Sequence, residues 1–265
     1  KLHSFSVSFQ EPTFDESSYA KQAARALGTE HHDIPFTVKT FHMALAEIMP
    51  QIDTPLADAS LLPTYVVSKL AKEYVTVALD GDGSDELLGG YGLFQAAEVA
   101  DALCWLPAGV IRGLQQMAPQ LPTRYHNFSF DFKVKSFFRG LGYLRWPRNQ
   151  VWLGAFSPTE LTELLQPEWR RDVLGDLVEP VATERLSTFD SVSALLLREY
   201  LHNDLLVKLD WAAMLVALEG RTPFLDTDLA QFMAHLPVTL KKNKFLLKRT
   251  MRDKIPDAII DRPKK

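Results

Sequence analysis

Four carboxylates fall within the seven residues from Asp80 to Glu86 of "LDGDGSDELLGGY": Asp80, Asp82, Asp85 and Glu86, with Gly81 and Gly83 threaded between them. Gathered without a counterion, these groups repel one another, and the glycines admit backbone conformations closed to other residues. The composition therefore calls for a cation. Oxygen ligands of this kind suit Mg²⁺, which takes one or two carboxylates and completes its shell with water and substrate phosphates. Two other readings stand beside this one. The acids can cap a helix starting near Ser84, where negative charge meets the positive end of the helix dipole. The D-x-D-G spacing of Asp80, Asp82 and Gly83 also opens a calcium loop, although the downstream acidic residue of the full loop pattern does not follow.

Elsewhere the chemistry-bearing residues are sparser. Arg221, beside Glu219 in "EGRTPFLD", can bind a substrate carboxylate or phosphate through its planar fork, or close an internal ion pair. Asp226 can cap a helix beginning near Thr227. Lys244 stands among Lys241, Lys242 and Lys248, and by itself such a run reads as a face turned to water. His31 and His32 are adjacent on a strand-like segment, so their rings point to opposite faces and cannot share one ion; they read as structural. Cys104 is the single cysteine, which excludes a disulfide framework, a cysteine zinc site and a C-x-x-C redox pair. It reads as an apolar packing residue, and a reducing, cytoplasmic setting fits. Trp211 and Met214 lie at helical spacing and read as core.

These residues need elements to hold them. "LHSFSVSF" (Leu2 to Phe9) alternates at period two like a strand. "DESSYAKQAARALG" has acids at its front, Tyr19, Ala23, Ala24 and Leu27 on one face and Gly28 at its end, which are helix signals. "TEHHDIPF" reads as a short strand, Val38 to Met49 and Ser60 to Glu73 as helices, and "YVTVALD" as a buried strand. Alternation of strand and helix predicts a parallel sheet, and ligands of such sheets bind outside the carboxyl ends of strands, where Asp80 to Glu86 fall. After Tyr91 amphipathic helical patterns dominate, at Leu161 to Leu165, Val192 to Val207, Trp211 to Leu218, Leu229 to Leu236 and Phe245 to Arg252. "NFSFDFKVKSFFRGLGYLRWPRNQ" is aromatic and basic, and reads as a helix plus an irregular loop. The expected organisation is an α/β part over 1–95 and a mainly helical part over 96–265.

Composition excludes several classes. With 265 residues, 46% hydrophobic and 23% charged, the chain can bury a core. A formal charge of -4 gives no electrostatic reason to bind nucleic acid. No apolar run approaches the roughly 20 residues that span a bilayer, so no membrane association is expected. Opening at Lys1 rather than Met points to a piece of a longer protein.

The motif "LDGDGSDELLGGY" resembles the second nucleotide-site motif of asparagine synthetases. Three further blocks agree in order: "SFSVSF...DESSYAKQAARALGTEHH", "LLVKLDWAAMLVALEGRTPFLD" and "KFLLKRTMRDKIPDAIIDRPKK". The resemblance covers nearly the whole chain and implies an α/β fold of the adenine-nucleotide alpha-hydrolase (ATP pyrophosphatase) type. It implies a ligase that uses ATP and Mg²⁺ to activate a carboxylate, normally the aspartate side chain, as an acyl-adenylate with release of pyrophosphate. Ammonia from a glutaminase domain then displaces AMP. Carried over by position, the Val7 backbone meets adenine, Asp80 and Gly81 line the nucleotide, and Asp82 lies near the reacting carboxylate. Asp85 helps to hold Mg²⁺-pyrophosphate with Glu86 beside it, and Lys244 approaches the α-phosphate. A homodimer is also in keeping with the family.

The chain departs from the family pattern in places. The serine-glycine-glycine pyrophosphate loop and the first strand normally precede the segment at Leu2, and the glutaminase domain with its cysteine nucleophile precedes both. The chain alone is therefore expected to be inactive. Ser8 stands where many relatives carry glycine and Trp211 where arginine is frequent, and the chain stops before the glycine and aromatic residue that often follow "RPKK". Two alternatives accompany the aspartate reading: an amidotransferase acting on a glycan or other carboxylate in exopolysaccharide synthesis, and a non-catalytic binding module.

Overall fold

The computed structural model describes residues 1–123, 129–171 and 186–262. Asn127 and Phe128, at the head of the aromatic and basic stretch, and Pro263 to Lys265 of the closing block lie outside them. The fold is mixed α/β, with helices predominating and two small parallel sheets. The chain forms two compact units, one of Lys1–Leu88 with Leu197–Lys265 and one of Gly89–Leu196.

In the first unit, β1 (His3–Phe9) pairs in parallel with β2 (Glu30–Phe36), Val7 opposite Ile34. The period-two alternation gives the pair two unlike faces. Phe5, Ile34 and Phe36 pack into apolar clusters with α2 (Val38–Ile48), α3 (Leu61–Lys72) and α11 (Leu206–Met214), around Ala44, Ile48, Leu61, Tyr65, Ala71, Ala212 and Ala213. The opposite residues, Ser4, Ser6, His31 and Asp33, form a polar network, on the side where Lys21 of α1 (Ser17–Leu27) reaches Asp33 at 3.3 Å. That polarity explains a correction: Leu27, expected on the packed face of α1, is 58% exposed, whereas Ala24 is buried. Gly28 closes α1 in the left-handed conformation, φ 66°, as its position predicts.

The expected single sheet is divided. β3 (Val77–Leu79) pairs in parallel with β4 (Glu219–Arg221), and among the described residues this pair is separate from β1–β2. With β4 as its one partner among the described residues, β3 is not the buried strand predicted; Leu79 is 72% exposed. β4 itself falls in the half read as helical, because "EGR" carries no β-branched or aromatic side chain to signal a strand. The Trp211 to Leu218 pattern likewise ends early: α11 stops at Met214, the chain turns through Ala217 at φ 56°, and Leu218 is buried next to β4. Trp211 packs against the core as expected, but Met214 is 59% exposed.

In the second unit, α5 (Gly92–Ala102), α8 (Arg145–Leu153) and α10 (Thr188–Leu195) meet one another and supply the buried Phe94, Val151, Phe189 and Val192, α7 (Phe130–Gly140) lies on α8, and α6 (Ala108–Met117) lies on α7; α9 (Pro158–Leu164) follows α8 in the chain. The aromatic and basic stretch forms two helices, α7 and α8, rather than a helix and a loop. They meet where a side chain at Gly140 would collide with the Trp152 indole. Cys104 is exposed, not packed, because it falls beyond the end of α5, whose buried positions stop at Ala100. A π-helical stretch, Leu196–Leu205, leads into α11. No helix among the described residues is long and apolar enough to cross a membrane.

Candidate functional site

The acidic loop leaves the carboxyl end of β3, where the backbone N–H of Asp80 extends the ladder by donating to the Arg221 carbonyl at 3.0 Å. Asp80 Oδ1 then accepts the N–H of Asp82 at 2.9 Å and bends the chain. Gly83 follows at φ +88°, and a side chain there would strike Leu225 of the P-F-L-D segment. Its glycine thus serves both the turn and the close seating of two motifs far apart in sequence. α4 (Ser84–Leu88) begins at once, with Asp85 and Glu86 in its first turn, where the helix dipole favours negative charge. The Ser84 hydroxyl donates to the Gly81 carbonyl at 2.8 Å and fixes the loop on the helix.

Lys244 arrives from the far end of the chain. It follows α13 (Val238–Lys241) and opens α14 (Phe245–Met251), and both Asn243 and Lys244 are left-handed at φ 57°. Such a conformation costs a non-glycine residue about 1–2 kcal/mol and persists where surrounding contacts over-determine it. Here the contacts are specific: Lys244 Nζ donates to Ser84 Oγ at 3.0 Å and lies 3.1 Å from Asp85 Oδ1. The lysine run is therefore not a uniform solvated face. Lys241 within it is only 3% exposed.

Around the loop the negative charge is incompletely answered. Burial pushes Asp80 up to about 6, and the neighbouring Asp82 charge adds to this against the Asp82 N–H bond. Asp80 Oδ2 is buried without a hydrogen-bond partner. Asp82 is also raised, first by burial and then by Asp85 and Asp58, with Lys208 opposing. Asp58 is half-buried, which raises its carboxyl, yet hydrogen bonds from Ser60 and the Lys208 ammonium at 3.0 Å hold it below the usual carboxylate range. Asp204 is raised by burial and by Asp58, and its Oδ1 has no partner. The Tyr200 hydroxyl is pushed up to about 12 by burial and by the surrounding Asp204, Asp58, Glu86 and Asp82.

The predicted residues thus fall into distinct places. Asp80, Gly81, Asp82, Asp85 and Lys244 share one loop and its surround. Glu86 lies in the same helical turn but is 1% exposed, on the side that senses Tyr200. Val7 is mid-strand in β1. Arg221 lies in β4, and its guanidinium is an exposed partner of Glu219 at 2.7 Å rather than an internal one. Asp226 caps α12 (Thr227–His235), accepting the Leu229 N–H at 3.1 Å, as expected. Asp58, Asp204 and Lys208 were not anticipated. The spacing of Asp204 and Lys208, four residues apart in a helical pattern, was the available signal, since it stacks them on one face.

No three of the acids in the loop form a ligand cluster among the described residues. A partnerless buried Asp80 oxygen and the neighbouring Asp82, raised by burial and by the Asp85 charge, nevertheless fit Mg²⁺, a cation that asks for one or two carboxylates rather than a cage. A sequence profile described as asparagine synthase matches residues 1–265. The chain belongs to the asparagine synthase family. It is 29% identical to the putative asparagine synthetase [glutamine-hydrolyzing] of Mycobacterium tuberculosis H37Rv over 274 aligned positions, covering 100% of this chain and 40% of the relative. With asparagine synthetase [glutamine-hydrolyzing] 1 of Bacillus subtilis it shares 30% identity over 273 positions, 99% of this chain and 42% of the relative. The match to asparagine synthetase B of Escherichia coli is 35% over 108 positions, 39% of this chain. The chain spans about two fifths of the length of the relatives it matches most fully.

Proposed function

We propose that the first unit carries the ATP site of an ATP-dependent amide-forming ligase that activates the side-chain carboxylate of aspartate as an acyl-adenylate. The observation that carries this reading is the meeting of Lys244 with Ser84 and Asp85 across 160 residues of sequence. Attack of a carboxylate on the α-phosphorus brings two anions together, so positive charge is needed where negative charge develops. Lys244 supplies it from a backbone conformation fixed in advance. Asp85, with Glu86 behind it, would hold Mg²⁺, whose chemistry is to neutralise the departing diphosphate. Asp80 and Gly81 line the nucleotide, Val7 offers its backbone to the adenine, and Asp82 faces the reacting carboxylate. Arg221 stands at the margin, able to leave Glu219 for a substrate anion.

The choice of aspartate over a sugar acid rests on the charges around Asp82. Asp58, Asp82 and Asp204 all act on one ammonium among the described residues, that of Lys208. Acids in excess of a lysine complement a substrate that bears an ammonium beside its carboxylates, an ammonium that a sugar acid lacks. The glutaminase that releases ammonia and the loop that grips the phosphates with backbone amides belong, on this reading, to the remainder of the full-length protein.

The test uses that full-length protein, with ATP, Mg²⁺, ammonia and either aspartate or uronic-acid acceptors. Aspartate-dependent pyrophosphate and asparagine are expected, and Lys244→Ala should lower the rate by about 10²–10³-fold with the fold intact, as for loss of one transition-state donor. Undiminished pyrophosphate release in that variant overturns the role of Lys244. Product from the sugar acids alone overturns the choice of acceptor.

A further inference from the structure

We propose that His3, Glu30 and His32 form a binding site for a divalent transition metal of the zinc class, separate from the ATP site. The register of the parallel pair places His3 directly opposite Glu30 and Phe5 opposite His32. His32 is two residues beyond Glu30, so period two sends all three side chains to the same face. Their ligand atoms lie within 4.8 Å of one another. His3 Nδ1 and His32 Nε2 are 2.9 Å apart. Two imidazole nitrogens at that distance share a single proton, and replacing it with a metal lets both lone pairs bind.

Zinc–imidazole bonds of about 2.0–2.1 Å require these nitrogens to separate by only a few tenths of an ångström in a tetrahedral shell. Two imidazoles and a carboxylate are a ligand set suited to Zn²⁺ and its neighbours rather than to Mg²⁺, and three protein ligands leave one position for water. The rings are already placed. Tyr74 lies against His32 with centroids 3.9 Å apart, His3 stacks on His32 at 5.2 Å, and Phe5 stacks on His32 at 5.2 Å. Glu30 is exposed and holds Lys1 Nζ at 3.4 Å, a weak surface pair that a divalent ion displaces readily. His31 takes no part, because its ring is on the opposite face with Ser4 and Ser6. The site joins the starts of β1 and β2, whereas the acidic loop follows the end of β3, so the two sites share no residue. Its consequence is a clamp across the starts of β1 and β2.

The measurement is titration of chelator-treated full-length protein with Zn²⁺ and with Co²⁺, in excess Mg²⁺ to satisfy the acidic loop. One equivalent should bind, with Co²⁺ giving the visible absorption of a four-coordinate ion. His3→Gln, Glu30→Gln and His32→Gln should each weaken binding by at least about 10–100-fold, the range seen even for loss of a supporting partner. Far-UV circular dichroism of the metal-free variants checks their folding. Independently of any variant, Zn²⁺ should protect His3 and His32 of the native protein from diethyl pyrocarbonate, read by mass spectrometry, while exposed His42 and His235 stay reactive. Absence of binding, equal affinity in a folded His3→Gln/His32→Gln double variant, or equal modification of all four histidines overturns the proposal.

Discussion

Each unit of the molecule holds a buried or half-buried aspartate among charged neighbours, and the two are solved in opposite ways. In the second unit Asp101 meets Arg148 at 2.6 Å, Arg145 at 2.8 Å and the Thr188 hydroxyl at 2.6 Å. Burial pushes its carboxyl up, but these partners outweigh that effect and hold it below the usual range. In the first unit Asp80, Asp82 and Asp204 are all raised, two of them with oxygens lacking any partner. A carboxylate with two guanidiniums and a hydroxyl is finished and joins helices. Acids left short of positive charge are unfinished until a ligand brings it, which is the electrostatic mark of a site rather than a strut.

The contrast can be broken at either end. Asp101→Asn should cause the largest loss of stability, about 3 kcal/mol in denaturant unfolding, because the 6% exposed Arg148 side chain then faces a neutral amide. A loss near zero would mean that the pair is no strut. Gly83→Ala tests the seating of the acidic turn. A left-handed alanine pressed against Leu225 should cost about 2 kcal/mol, and Leu225→Ala in the same chain should recover part of that stability. Asp80→Asn is expected to act in the other direction. Its shift from 3.8 to about 6 corresponds to roughly 3 kcal/mol, reduced to about 1 by partial solvent screening, so the variant should be more stable at neutral pH.

The pH dependence of these last two aspartates has opposite sign. A native value above the unfolded one means that the folded state holds its proton longer, so the Asp80 contribution favours folding less as pH rises from about 4 to about 6, and is constant above. Asp101, lowered in the native state, contributes above its unfolded value, and that contribution is lost as pH falls below about 4. Proton-linked unfolding of Asp80→Asn between pH 4 and 7 should therefore lack a slope that the native protein shows. An unchanged slope would assign the effect to another group.

Several elements were legible because their signals are local. Gly28 stops α1, Asp226 caps α12, and the alternation of "HSFSVSF" makes β1, each from residues within a turn or strand of one another. β4 was invisible because "EGR" becomes a strand through the ladder β3 offers and not by preference. Cys104 reads as interior by residue type and Met214 by helical spacing, whereas the ends of α5 and α11 decide their exposure. His32 was correctly separated from His31 by strand period, yet its partner His3 lies 29 residues away and required the register of two strands.

Residue order alone determined the acidic loop, its glycines, the helix that follows and the kinship of the whole chain, because each depends on types at fixed short spacings. The burial that raises Asp80, the placing of Lys244 on Ser84 and Asp85, and the gathering of Asp58, Asp204 and Lys208 were decided only when the chain folded. Charge acts through distance and dielectric, and neither exists for residues 160 apart until packing brings them together and excludes water.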